Sequence, residues 1–404
     1  MGDGETARHP HPWVFLALVL PFGASTGYVT VTLAFMLAAK GVTVAAIGAL
    51  VAASTLPQTW KVLWAPLADT TLTPKRWYMI GALGVGLSIL AMSLIGRPSA
   101  AMPVLTALVM LSSIASSFCG MTADSFLAHF DAQQQGRASG WAQAGNFAGQ
   151  GVGGGIALYL AQHVQAQWVS GAGLGVLCMA CAAVLPLVPA VPRLARPSIA
   201  ATFVEVFREV WAVVRSRAGL LVIILMLLPI GSGGLGTWSS FANEYKVSGD
   251  TVALTGGLIA GVVSAVAALF GGYVCDAMDR RTAYCLFGLL IAVEVVITAW
   301  LPRTVGVWIG ASVLYQALLG ASYAAYSAVV LEVIGRGAAA TKFNLMASAG
   351  NVPVTYMPVV DGVLHDQYGT NAMFYGEAGL CVAAAVLFGL LVIASSRLLR
   401  TAPA

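Results

Sequence analysis

The sequence predicts an all-α membrane protein: twelve transmembrane helices in two pseudo-symmetric halves of six. Three observations carry that prediction. The first is composition. Of 404 residues, 59% are hydrophobic and only 9% charged, whereas a soluble domain carries roughly 25% charged residues. So little charge cannot cover a folded surface in water, and lipid must supply the missing apolar surroundings. The second is length: the apolar residues fall into twelve stretches of about 20, enough for a helix to cross a bilayer. The third is the placement of charge. With both termini on one side, 15 of the 20 Lys and Arg residues fall on that side, with Lys61 inside a span. Lys40, Arg97, Lys246 and Arg303 fall opposite. The positive-inside rule then puts both termini in the cytoplasm, and an odd number of spans would spoil the asymmetry.

The first six stretches lie near residues 13–38, 42–67, 77–96, 102–126, 138–161 and 168–189. The first is too long and too mildly flanked for a cleaved signal peptide and reads as a span. A polar gap over 190–217 opens with Pro192 and Pro197 and continues through Phe203, Phe207, Arg208 and Trp211. Apolar residues at helical spacing beside charged ones predict a short amphipathic helix on the cytoplasmic face. Six further stretches follow near 220–241, 251–275, 282–301, 305–331, 341–364 and 372–396. The expected division is therefore an N-terminal half over 1–189, a linker over 190–217 and a C-terminal half over 218–404.

The halves echo each other. Asp69 and then Lys75-Arg76 follow the second stretch; Asp276, Asp279 and Arg280-Arg281 follow the eighth. Gly145-Asn146 in the fifth stretch is matched by Gly350-Asn351 in the eleventh. Parallel six-helix repeats are the pattern of secondary transporters, whose substrate site lies between the halves near the membrane midplane.

Several classes of function are disfavoured. No basic cluster with interleaved aromatics suggests nucleic acid. Cys178 and Cys181 have redox spacing but stand in an apolar run without a basic neighbour, so they read as small hydrophobic residues. The glycines from Gly145 to Gly155 follow no strand and precede no Lys-Ser/Thr, so they serve close helix packing, not phosphate binding. No catalytic set, metal-ligand cluster or cofactor motif is recognisable, and neither an enzyme nor an ATP-driven pump is expected.

The acidic residue and basic pair after the second stretch, repeated after the eighth, resemble the signature loop of the major facilitator superfamily. Lys61-Val62-Leu63-Trp64-Ala65-Pro66-Leu67-Ala68-Asp69 is similar to a motif of AmpG-type muropeptide permeases and their acetyl-CoA, drug and siderophore transporting relatives. Ala340-Thr341-Lys342-Phe343-Asn344-Leu345-Met346-Ala347-Ser348 resembles that family's eleventh-span motif, with Lys342 where the family carries Gln. Thr122-Ala123-Asp124-Ser125-Phe126 resembles its fourth-span acidic motif. The resemblance implies the major facilitator fold, alternating access, and proton-driven uptake of a polar or anionic solute across a bacterial inner membrane. Anhydro-muropeptide is the first substrate it suggests, with a siderophore next and a drug or metabolite exporter third. A non-transporting membrane sensor is the alternative of another class, and buried charge weighs against it. A monomer in the bilayer is expected.

Lys61 is the sharpest candidate. An isolated charge at the bilayer centre costs about 2.5–3.5 kcal/mol on insertion scales, so it normally faces a cavity or a partner. Beside Trp60 and Trp64, it reads as a contact for an anionic substrate, as a snorkelling lysine, or as a structural partner of Asp124. Asp124 in turn reads as a proton site, a fixed partner or an interfacial acid. Glu294, in mid-span, reads as a structural or interface acid or as a proton carrier. Asp361 and His365, four apart on one helical face, read as a structural pair or a proton relay at the outer mouth. Glu377 and Glu244 near the same surface read as solvated. Gln143, Asn146 and Gln150, with Asn344 and Asn351, are amides that need partners within the bilayer, either a polar substrate or a neighbouring helix. Asp69, Lys75, Arg76, Asp276, Asp279, Arg280 and Arg281 read as a cytoplasmic gate or as topology-setting charge.

Overall fold

The computed structural model describes residues 11–64, 67–68, 71–96, 100–130, 134–166, 168–188, 199–231, 237–334 and 339–400. Asp69 lies outside them, as does the side chain of Asn344. Among the described residues, all regular structure is helical. Eight helices are long and apolar enough to cross a membrane: Val14–Ala39, Pro74–Ser93, Met102–Ala128, Trp168–Leu187, Gly249–Ala277, Arg280–Trp300, Val305–Val330 and Thr370–Ala394.

The other four expected spans also fall on helix. The second is Val44–Thr59, the fifth runs through Gln135–Gly151, Val152–Ile156 and Ala157–His163, the seventh begins as Arg217–Leu227 and the eleventh is Ala339–Tyr368. The fifth and eleventh carry the candidate amides. A helix that lines a polar interior need not be apolar around its whole circumference.

Two boundaries differ from the sequence expectation, for local reasons. The second span stops as regular helix at Thr59, two residues after Pro57, and Lys61–Leu63 form a 3-10 turn. Lys61 therefore sits at a break in the span and not on a continuous helix. The seventh stretch is not one helix either: Leu228 is extended, at φ −82° and ψ 144°. A residue before proline is pushed out of the helical region, and Pro229 follows. Gly231, at φ +66°, adopts a conformation that an L side chain rarely takes. The chain then reaches a short turn at Ala242–Tyr245.

Exposure separates lipid-facing from interior surfaces. Leu258, Val262, Val266 and Tyr273 of the eighth span are all exposed, forming one apolar helical stripe of the kind only lipid covers without penalty. Inside, Trp308, Tyr315, Phe241 and Phe374 are fully buried in the second six helices, and Tyr28, Val85 and Leu105 in the first six.

The two sets of six meet through small residues. A Cβ on Gly48 of the second span would overlap the Pro358 carbonyl of the eleventh, and one on Gly362 would press on Ala45. A Cβ on Gly257 of the eighth span would meet the backbone of Gly155 in the fifth. These contacts lie toward the end of the bundle away from the chain termini. Ile199–Arg215 forms a helix with Phe203, Val204, Phe207 and Trp211 exposed, packed beside the seventh and eleventh spans.

Candidate functional site

A polar cluster forms where the two sets of six helices face each other. Asp124 of the fourth span has an exposed side chain although many protein atoms lie around it, as on the wall of a cleft. Lys61 is half-buried and within electrostatic reach of it. Tyr323 of the tenth span, 45% exposed, lies within reach of Asp124 and shares a side-chain hydrogen bond with Gln143 of the fifth. Four spans, from both sets of six, thus contribute to one cluster. Tyr323 escaped the sequence reading because an isolated Tyr in an apolar stretch carries no pattern.

Beside Lys61, Trp60 is 42% exposed, and its ring centroid lies 6.3 Å from that of Trp64. The buried Trp64 indole N–H has no hydrogen-bond partner among the described residues. An orphaned buried donor costs about 1–3 kcal/mol, so an acceptor on a bound solute would relieve it.

Two helical turns farther from the termini, the same two helices present Gln150 and Gln316. They line a cavity with Thr30, Trp238, Ser264 and Trp308. The step from Gln143 to Gln150, and from Tyr323 to Gln316, is about 10 Å at 1.5 Å per residue, so polar lining continues along the interface. Ser264 donates to the Gln316 carbonyl at 3.1 Å, and the Trp308 indole donates to the Trp238 carbonyl at 3.2 Å. Runs of π-helix at Tyr28–Leu33, Val152–Ile156 and Val252–Ile259 adjoin the cavity, a distortion frequent at functional sites.

The amides differ in what they meet. Asn146 accepts from Gln150 at 3.2 Å, and Asn351 donates to the Ala347 carbonyl of its own helix at 2.8 Å. Neither of these bonds crosses between helices.

At the end away from the termini, His365 engages acids from outside the expected Asp361–His365 pair. The His365 ring hydrogen-bonds Glu244 and lies 3.2 Å from Asp366, while Asp361 is fully buried. Glu244 is not merely solvated: Arg303 donates to it at 2.6 Å, and Thr370 donates to it as well. Arg303 also donates to Asn371 at 2.9 Å. Burial opposes charge on Glu244, but the hydrogen bonds from His365 and Thr370, with the His365 and Arg303 charges, outweigh it and hold the carboxyl below its ordinary range. His365 is shifted up: burial opposes its charge, and the bonds to Glu244 and Asp366 prevail.

Glu377 also differs from expectation. It is 5% exposed, as is Glu294, and it accepts a 2.7 Å hydrogen bond from the Tyr315 hydroxyl.

The charged loop after the eighth span ties neighbouring helices together. Asp279 caps the ninth span by accepting from the Thr282 N–H at 2.9 Å. That bond is the main reason its carboxyl sits below the usual range. Arg280 donates to the Ala328 carbonyl of the tenth span at 3.4 Å, and Arg281 pairs with Glu332 at 3.2 Å. Asp276 is exposed, Lys75 half-buried and Arg76 exposed.

Comparison with known proteins agrees with this architecture. The sequence profile of the Major Facilitator Superfamily matches residues 14–354 and also 237–403. No curated protein matches the chain in sequence. Among solved structures, the chain is similar to the xylose transporter XylE from E. coli in a partially occluded inward-open conformation. That match has a TM-score of 0.71 at 15% identity, covering 93% of this chain and 96% of the other. The nucleoside transporter NupG gives a TM-score of 0.68 at 14% identity, covering 94% and 98%. A bacterial homologue of the human lysosomal transporter Spinster, inward-facing and unoccupied, gives 0.70 at 15% identity, covering 96% and 98%. With eight helices long and apolar enough to cross a membrane among the described residues and a profile match over most of its length, this chain belongs to the Major Facilitator Superfamily of membrane transporters and is not an enzyme.

Proposed function

We propose that this protein is a secondary active transporter that uses the proton gradient to import a polar, anionic solute by alternating access. The observation that carries the reading is Lys61 beside Asp124 on the open cleft, next to Tyr323 and Gln143 from facing halves. Lys61 is the anion contact, flanked by Trp60 and Trp64. Asp124 exchanges a proton and is released from Lys61 when solute takes its place. Gln143, Asn146, Asn344 and Asn351 contribute polar contacts along the fifth and eleventh spans.

The termini, the linker helix and the charged loops at Asp69, Lys75, Arg76, Asp276, Asp279, Arg280 and Arg281 face the cytoplasm of a bacterial cell. The loops gate that side. Residues 1–189 and 218–404 rock as two bodies about the cleft, and the protein acts as a monomer. The contacts of Gly48 with Pro358 and of Gly155 with Gly257 then close the outer side, leaving Asp124 open to the cytoplasm.

Resemblance in the segment from Lys61 to Asp69 makes anhydro-muropeptide the first substrate to test and a ferric siderophore the second. The test is uptake into proteoliposomes under an imposed inward proton gradient, with either labelled solute and with Lys61→Ala. Proton-dependent muropeptide flux that is lost in the variant supports the reading. Flux of neither solute by folded protein overturns the substrate assignment.

A further inference from the structure

Away from the cleft, the interior of the second six helices holds three carboxyl groups. Glu294, Asp361 and Glu377 come from the ninth, eleventh and twelfth spans and are 5%, 0% and 5% exposed. All three act electrostatically on Tyr315 of the tenth span, which is itself fully buried and donates to Glu377 at 2.7 Å. Glu294 Oε1 accepts from Thr298 at 3.0 Å, whereas its Oε2 is buried with no hydrogen-bond partner among the described residues. Glu294 also lies within reach of Glu377. Tyr245 and Cys381 face these carboxyls too, and no Lys or Arg acts on Glu294 or Glu377 among the described residues.

A buried carboxylate without a partner costs several kcal/mol, and a second one nearby adds repulsion. Protonation of one carboxyl relieves both costs for Glu294 and Glu377. The described residues contain no set of three His, Cys, Asp or Glu placed to bind a metal ion, whereas a proton needs only a free carboxylate oxygen. An undonated Glu294 Oε2 is the atom able to receive it.

We propose that Glu294 and Glu377, both within electrostatic reach of Tyr315, form a proton-binding site inside the C-terminal half, separate from Asp124. The proton adds to a carboxylate oxygen and leaves as a proton; no other bond changes. The site stands one side chain from the cavity, since the Tyr315 ring lies 5.7 Å from that of Trp238, which lines it. On its other side, Tyr245 lies within reach of both Glu294 and Glu244, linking it to the solvent-accessible His365–Glu244 network.

The role of this site in transport rests on the proton-coupled reading above, but its occupancy by a proton does not. The test is pH-difference infrared spectroscopy of the full chain in lipid nanodiscs, without solute. A carbonyl-stretch signal of a buried protonated carboxyl, shifted on deuteration, is expected in the wild type. It is lost in Glu294→Gln or Glu377→Gln, displaced in frequency in Tyr315→Phe and retained in Asp124→Asn. Tyr315→Phe keeps every carboxyl and still reads the site if a Glu variant fails to fold. No such signal in the wild type, or one that survives both Glu variants or vanishes only in Asp361→Asn, overturns the proposal. Because the spectrum needs no substrate, its failure is distinct from a failure of uptake.

Discussion

The Asp366 carboxylate, at the end of the eleventh span, accepts the backbone N–H groups of Val44 at 3.1 Å and Ala45 at 2.9 Å. These residues open the second span, whose first N–H groups have no partner within their own helix. Asp366 thus caps a helix 322 residues away in sequence, and it does so where the two sets of six helices meet. The helix macrodipole favours an anion at that end.

Loss of this cap should loosen the closed end. Asp366→Ala removes an anionic helix cap, a change that costs about 0.5–2 kcal/mol. Spin-label distances between the ends of the second and eleventh spans should broaden toward longer values. An unchanged distribution would show that the glycine contacts alone hold this end.

The same region should respond to pH, with opposite limbs. His365 holds its proton above its ordinary value of about 6.5. Its contribution is full below that ordinary value and is lost as pH rises through the raised one. Glu244 is held below its ordinary value of about 4.3, so its contribution is present above that value and fades as pH falls through the depressed one. Closure should be strongest between these limits, and His365→Asn should abolish the alkaline limb of the distance measurement while leaving the acid limb.

Tyr323 is a position the cleft geometry singles out. Tyr323→Phe removes the hydrogen bond to Gln143 while keeping the ring. A neutral hydrogen bond is worth about 0.5–1.5 kcal/mol, which corresponds to a change of roughly 2- to 10-fold in the apparent affinity for solute. Transport assays that find KM and maximal rate both unmoved would remove Tyr323 from the site.

Close packing between the first and fifth spans predicts a contrast between two glycines. A Cβ on Gly149 would overlap the Leu20 carbonyl, whereas one on Gly140 meets nothing within 4 Å. Overpacking a tight interface costs about 1–3 kcal/mol. Gly149→Ala should lower the thermal stability of the detergent-solubilised protein, and Gly140→Ala should not.

Part of this protein is legible in its sequence alone. The segment around Lys61 stood out because a lysine in an apolar run has few ways to satisfy its charge, and Asp124 for the same reason. The cleft does bring these two together. The partner of His365 was not legible: spacing pointed to Asp361 on the same helix face, but the ring turns to Glu244, 121 residues away. The break after Leu227 was marked by Pro229, yet hydropathy alone carried the span across it.

Residue order alone sets the class of molecule, the approximate spans and the candidates for buried charge. Hydropathy, span length and the expense of a charge in lipid are properties of a local stretch of chain. Which polar groups meet depends on how the helices pack. Tyr323 reaches Gln143 and Asp124 from a different half, and Glu377 becomes an interior acid bonded to Tyr315, 62 residues away. Such partners are chosen by how helices pack, and packing brings together residues that share no pattern along the chain.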